Sequence, residues 1–258
     1  MPHASKPPKM LKLWMPRTHV TKGDSALSQS LQHEGILVLE HALQDITKIG
    51  HLALDLNFQP VWWVFTSAIA VREWAKYLEN TGQTHLGQGV HIACVGQATA
   101  NAVKTYLKRP ADFVPTAAQD ATYFTTAFNQ HHPTPTSCLW VCSALAEDTV
   151  LRGLKAGGHK VRQLPLYEPV ALKPAALEQC LQEATAFSPD VGLLSSPSNV
   201  DILARMGAFE RVLLTQWICL GPRSFEAALR AGVPVRLKML EHPTAAAIVE
   251  ACLYQLND

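Results

Sequence analysis

Val61-Trp62-Trp63-Val64-Phe65-Thr66-Ser67-Ala68-Ile69-Ala70-Val71 is the stretch on which the fold turns. Its five leading apolar residues, Val61–Phe65, read as a buried strand. Thr66 and Ser67 end that strand, and Ser67 is suited to cap a following helix. Ala70, Val71, Trp74 and Leu78 then recur at helical spacing. A strand that runs straight into a helix is the repeating unit of a parallel α/β sheet. The stretch is also the densest apolar run in the chain; its 11 residues, broken by two hydroxyls, fall short of the about 20 that a membrane span needs.

The same alternation extends in both directions. Leu11–Met15 reads as a strand, and Ala26–His33 as a helix stopped by Gly35. His91–Val95 leads into a helix at Ala98–Leu107, and Phe113–Val114 into one at Ala118–Phe128. Leu139–Cys142, Val191–Leu194, Trp217–Leu220 and Val233–Leu237 read as strands, followed by helices near 146–156, 198–206, 223–231 and 244–256. The fold class is therefore α/β with parallel sheets. Two stretches interrupt the alternation, Ile36–Ala42 and Val161–Val170; both read as extended connectors.

The two halves also repeat each other. Leu13-Trp14 recurs as Leu139-Trp140, Phe65 to Val71 as Leu194 to Val200, Cys94 to Thr99 as Cys219 to Ser224, and Pro115 to Ala118 as Pro243 to Ala246. The offsets are 126, 129, 125 and 128. Four ordered matches at nearly one spacing indicate duplication.

Composition narrows the function. Charged residues are 17% of the 258, hydrophobic residues 48%, and 22 Lys and Arg against 21 Asp and Glu leave a net charge of +1. No basic excess marks a nucleic-acid face. Met1 to Lys9 is polar and Pro-rich, without an apolar export signal, so the expectation is a soluble, cytoplasmic protein. The cysteines at 94, 138, 142, 180, 219 and 252 lack CxxC spacing and read as buried thiols, with no metal site. GxGxxG, GxxxxGK[ST], HExxH and GxSxG are all absent, and Gly87-Gln88-Gly89 precedes a strand instead of following one. His131-His132 reads as solvated linker in a Pro/Thr-rich loop, and Trp62-Trp63 as core packing.

In a parallel α/β sheet, ligands bind beyond the carboxyl ends of the strands. Thr66-Ser67 and Ser195-Ser196 place two adjacent hydroxyls there, with Pro197 fit for a first helical turn. Gly96 and Gly221 end the next strands, and Thr99 and Ser224 follow in the first helical turns. Converging helix N-termini form a receptor for carboxylates or phosphates. Any one of these hydroxyls serves equally as a plain cap; the paired recurrence is what argues for a site. Tyr167, in the second connector, reads as either a packed aromatic or a functional phenol, and Arg17 as either an anion partner or a solvated side chain.

These motifs resemble the uroporphyrinogen-III synthase family, cyclising enzymes of tetrapyrrole biosynthesis. The resemblance rests on Phe65-Thr66-Ser67 with Val71, Val95-Gly96 with Thr99-Ala100, Ser196-Pro197 with Val200, Leu220-Gly221-Pro222 with Ser224, Tyr167, and Pro243-Thr244. It runs from about Leu11 to Leu256. Pro16-Arg17 replaces the family's Thr-Arg, Ser143-Ala144 its Arg-Gly turn, and Ile69 a frequent polar residue, while Ser224 stands for threonine.

The resemblance implies two similar α/β domains, 9–35 with 171–258 and 43–160, joined by a two-stranded hinge of 36–42 and 161–170, with the cleft between them as active site. It implies cyclisation of hydroxymethylbilane, with loss of water and inversion of the last pyrrole ring, by a cytoplasmic monomer using no cofactor, metal, nucleic acid or membrane. Tyr167 would assist departure of the hydroxyl. Arg17, Thr66, Ser67, Gly96, Thr99, Ser195, Ser196, Ser198, Gly221 and Ser224 would bind substrate. The competing reading is a two-lobed binding or sensing protein without chemistry, which would ordinarily bring a basic DNA-binding segment or an export signal; neither is evident. A two-domain glycosyltransferase would need a nucleotide site, and none is located.

Overall fold

The computed structural model describes residues 10–18, 26–49, 58–84, 88–116, 120–240 and 244–253. The expectations placed on Met1–Lys9, Gly87, Ala117-Ala118, Pro243 and residues 254–256 lie outside them. The chain divides into two compact units. One takes the described residues up to Asp45 and from Val170 onward, and the other takes Ile46–Pro169.

In the first unit, β1 (Lys12–Arg17), β2 (Leu37–Ala42), β8 (Val191–Leu194), β9 (Gln216–Leu220) and β10 (Arg236–Leu240) form a sheet in the order β10-β9-β8-β1-β2. All four of its pairings are parallel. In the second, β3 (Gln44–Lys48), β4 (Trp62–Phe65), β5 (His91–Cys94), β6 (Ser137–Ser143) and β7 (Lys160–Ala171) lie in the order β3-β7-β6-β4-β5. There β7, β6, β4 and β5 pair in parallel, and Phe113 adds a single parallel bridge to Ala93. Each sheet thus joins the opening strands of one repeat to the closing strands of the other.

Alternation along each strand explains the two-faced packing. Trp14 goes to one face with Leu194 and Trp217, while Leu13 and Met15 go to the other with Leu193 and Ile218. In the second unit Trp63, Phe65, Leu139 and Val141 pack on one face, and Trp62, Val64, Cys138 and Trp140 on the other. Strands buried on both faces carry continuous apolar runs, which is why they were readable without period-two alternation. Gly192 is needed for this packing: a Cβ there would lie 2.3 Å from the Trp217 ring.

Several boundaries differ from the sequence reading. The last strand begins at Arg236, three residues past the expected Val233. Val233 instead closes helix α9 (Pro222–Arg230): Gly232 takes φ +66°, and the Val233 N–H donates to the Ala228 carbonyl. That is a Schellman closure with an apolar residue after the glycine. Helix α4 (Ala121–His131) starts three residues late because Asp120 caps it, its carboxylate accepting from the Tyr123 N–H at 2.8 Å. Helix α3 (Gln97–Ala102) opens into a π-helical turn at Val103–Leu107. Helix α6 (Pro174–Phe187), which none of the expected elements covers, buries Leu177, Leu181 and Ala184 at helical spacing behind Pro174. His131-His132 is not solvated linker. His131 ends α4, and the His132 ring sits 4.6 Å from Trp62 and 4.7 Å from Phe128. Among the described residues, no helix is long and apolar enough to cross a membrane.

Candidate functional site

In each sheet the chain order reverses beside the opening strand, between β1 and β8 in the first unit and between β6 and β4 in the second. Strand ends at such a switch point leave room for a ligand. Both hydroxyl pairs read from the sequence stand at these two points.

In the second unit, Ser67 caps helix α2 (Ala68–Thr81) with extended backbone, φ −151° and ψ 150°. Its Oγ accepts the Ala70 N–H at 3.1 Å and lies 2.9 Å from the Tyr167 phenol oxygen. Tyr167 comes from β7 and is 4% exposed, within the core that holds Phe65 and Leu166. Burial raises the phenol's pKa, the Ser67 hydrogen bond and Arg72 lower it, Cys142 and Glu73 raise it, and the balance is upward. The phenol therefore keeps its proton. Two hydroxyls share one hydrogen bond here, and an amide N–H feeds the pair. One hydroxyl proton is left for an outside acceptor.

Thr66 is half-buried, with Oγ1 3.4 Å from the Trp140 indole N–H. Gly96 begins α3 with φ −171°, an extended conformation that any residue adopts. Thr99 is buried at 4% exposure. Behind the Ser67 turn, Arg72 and Glu73 form a buried pair at 2.9 Å that the sequence reading passed over. Burial alone would raise the Glu73 carboxyl; hydrogen bonds from Lys76 and Arg72 bring it below the usual carboxylate range.

In the first unit, Ser196 caps helix α7 (Pro197–Arg205), accepting the Asn199 N–H at 3.3 Å. Its Oγ lies 3.2 Å from Ser198 Oγ, and Gln44 Nε2 donates to Ser198 at 2.9 Å. Again two hydroxyls share one bond and are fed by N–H donors, which leaves one proton of the pair outside that bond. Ser195 is exposed. Gly221, at the start of α9, has φ +98° and ψ 166°, a region open essentially to glycine alone. Ser224 is buried at 3% exposure, like Thr99. Arg17 is held by Glu40, which takes its guanidinium at 3.0 Å and the Ser28 hydroxyl as well.

The structure thus brings Tyr167 to Ser67 and Ser198 to Ser196. Arg17 goes to an internal carboxylate, and Thr99 and Ser224 lie under the surface. Gln44 and Asn199, which organise the Ser196 turn, were not singled out from sequence. Their signal was slight: Asn199 stood inside a repeat match, and Gln44 sits beside a connector. Five cysteines are buried. Burial pushes Cys94, Cys138 and Cys252 up to about 12 and Cys142 and Cys219 up to about 11, so their thiols stay protonated.

The sequence family described as uroporphyrinogen-III synthase HemD matches residues 25–250. The fold is similar to uroporphyrinogen-III synthetase from Helicobacter pylori, at TM-score 0.60 and 16% identity, covering 96% of this chain and 100% of that one. It is also similar to a mutant uroporphyrinogen III synthase from Thermus thermophilus, at TM-score 0.53 and 13% identity, covering 96% of this chain and 99% of that one. No curated protein sequence matches. With the family matched across most of its length, its two-sheet architecture in place and hydroxyl turns at both switch points, the chain belongs to the uroporphyrinogen-III synthase family of cyclising hydro-lyases in porphyrin biosynthesis.

Proposed function

We propose that this chain cyclises hydroxymethylbilane to uroporphyrinogen III as a cytoplasmic monomer, with the Ser196–Ser198 turn as a carboxylate receptor and the Ser67–Tyr167 pair as donor to the departing hydroxyl. The supporting observation is the hydrogen balance at Ser67 and at Ser196–Ser198: each pair is fed by N–H groups and has one hydroxyl proton to give. Such a pair suits an acceptor-only ligand, and a substrate bearing acetate and propionate groups supplies such acceptors. Helix dipoles at α2 and α7 add to the attraction.

Tyr167, protonated at rest and partnered by Ser67, hydrogen-bonds to the departing hydroxyl of the substrate and passes it its proton as the C–O bond breaks. Water leaves with the C–O electron pair, the resulting azafulvene-type cation is electrophilic, the proton shed on ring closure restores the phenol, and the remaining task is to present the correct carbon of the last ring. That is catalysis by orientation. Thr66, Gly96, Thr99, Ser195, Gly221 and Ser224 complete the binding set, with backbone amides carrying part of the contact, and Arg17 joins it only by leaving Glu40. The proposal includes the division into domains 9–35 with 171–258 and 43–160, with 36–42 and 161–170 as hinge strands. Incubating the purified protein with freshly made hydroxymethylbilane, with no nucleotide or metal added, tests the reading; failure to accelerate ring closure removes it.

A further inference from the structure

We infer that Gln44 is a positioning residue for substrate binding, one that sets the hydroxyl protons of the Ser196–Ser198 turn; the inference rests on the function proposed above. The chain fixes Gln44 before its side chain acts. Leu43, fully buried, donates its N–H to the Arg17 carbonyl at 2.8 Å and accepts the Leu172 N–H at 3.0 Å. Gln44 follows at 3% exposure, the first residue of β3. Its Nε2 donates to both Ser198 Oγ and Asn199 Oδ1, each at 2.9 Å. Asn199, fully buried, donates its own amide to the Pro16 carbonyl at 3.2 Å. That bond fixes which way the Asn199 amide points, so its oxygen must face Gln44. The Gln44 amide is oriented in turn, nitrogen toward Ser198.

The consequence is a direction of hydrogen bonding. Ser198 receives from Gln44, and Ser196 receives from the Asn199 backbone, so neither hydroxyl is needed as a donor to the protein beyond their mutual bond. One hydroxyl proton of the pair is then surplus to the turn and can serve an acceptor on a ligand. Removing the Gln44 amide frees Ser198 to turn inward toward the Asn199 oxygen, and the turn loses its bias toward anions. Tyr167 stands in the same relation to Ser67 in the other unit, each being a residue next to a crossing of the chain that meets a helix-capping hydroxyl turn.

Gln44→Met keeps the bulk and removes both donors. It is expected to raise KM for hydroxymethylbilane about three- to tenfold with kcat changed less than about twofold. Ser198→Ala is expected to raise KM similarly, and the double variant to be no worse than either single one, because both remove one unit. An unchanged KM in Gln44→Met, an equal fall in kcat and stability without a KM rise, or additive effects in the double variant overturns the proposal. Should Gln44→Met not fold, Ser198→Ala alone decides, and an unchanged KM there overturns it. Quenching of protein fluorescence by uroporphyrin III, a polycarboxylate, separates this inference from the proposed reaction. A catalytically inert wild type whose uroporphyrin binding weakens in Gln44→Met loses the reaction and keeps the role of Gln44; binding that is the same in both removes that role.

Discussion

The phenol oxygen of Tyr167 lies 2.9 Å from Ser67 Oγ, which makes a buried side chain of β7 a direct partner of the residue that caps α2. The bond is made inside one unit, and it links the two features of that unit singled out from sequence on separate grounds, one as a strand-end hydroxyl and the other as a connector phenol.

Tyr167→Phe should fold and melt cooperatively, with about 1 kcal/mol lost for the missing hydrogen bond. Turnover of hydroxymethylbilane should fall at least about tenfold. Steady-state rates beside thermal melts check this; turnover near that of the wild type removes the role of the phenol. Because burial raises the Tyr167 pKa, its absorbance titration should lie above the ordinary value of about 10. The unfolded chain loses that proton first, so the contribution to stability is intact below about pH 10 and disappears as pH climbs through the folded-state value.

Ser67→Ala and Ser196→Ala each remove a helix cap, and about 1 kcal/mol of stability should go with either. Both should also raise KM. Ser195→Ala separates the two effects, since Ser195 is exposed: stability should stay within about 0.5 kcal/mol of wild type while KM rises. If Ser195→Ala binds substrate as wild type does, Ser195 leaves the binding set.

Acid should weaken the second unit at a definite place. Burial holds His159 and His132 below the ordinary histidine range, and for His132 the neighbouring His131, His159 and His91 add to the effect. His159 Nδ1 accepts the Thr136 N–H at 3.2 Å, a bond that protonation at Nδ1 forbids. With folded-state values below the unfolded value of about 6.5, the unfolded chain binds protons first. Stability is full above about pH 6.5 and drops as pH falls from there through the folded-state values. Melting temperatures between pH 7.5 and 5 should show this slope, flattened in His159→Gln, which keeps an acceptor for Thr136; an unaltered slope in that variant rules out His159 as a source.

Much of the fold was legible because parallel strands buried on both faces write themselves as apolar runs, and because the chain writes the pattern twice. Val233 was misplaced for a local reason. A β-branched residue before proline reads as strand, whereas here it seals the end of α9 after Gly232. His132 was misread because its Pro/Thr-rich sequence neighbours say nothing about Trp62, some seventy residues away, against which it packs. Of the candidate site, the two helix-capping turns were legible at Ser67 and Ser196, where capping and strand ends coincide. Gln44 was not, because a single glutamine acquires its meaning from Asn199 and Ser198, more than 150 residues on.

Gly192→Ala should be among the more damaging single-methyl changes in the first unit. The added carbon meets the Trp217 ring at 2.3 Å, and Trp217 is fully buried against Trp14 and Phe209. A loss of about 1–3 kcal/mol is expected from the forced repacking. Chemical denaturation measures it, and a variant as stable as wild type contradicts the packing described for β8 and β9.

The identity of the ring formed is the most direct test of the whole account. Unassisted closure of hydroxymethylbilane keeps the last ring in its original order, and a synthase inverts it. Oxidising the products and separating the isomers by chromatography should give uroporphyrin III as the dominant species in the presence of the protein, at a rate above that of the blank. Isomer I alone, formed no faster than without protein, contradicts the account.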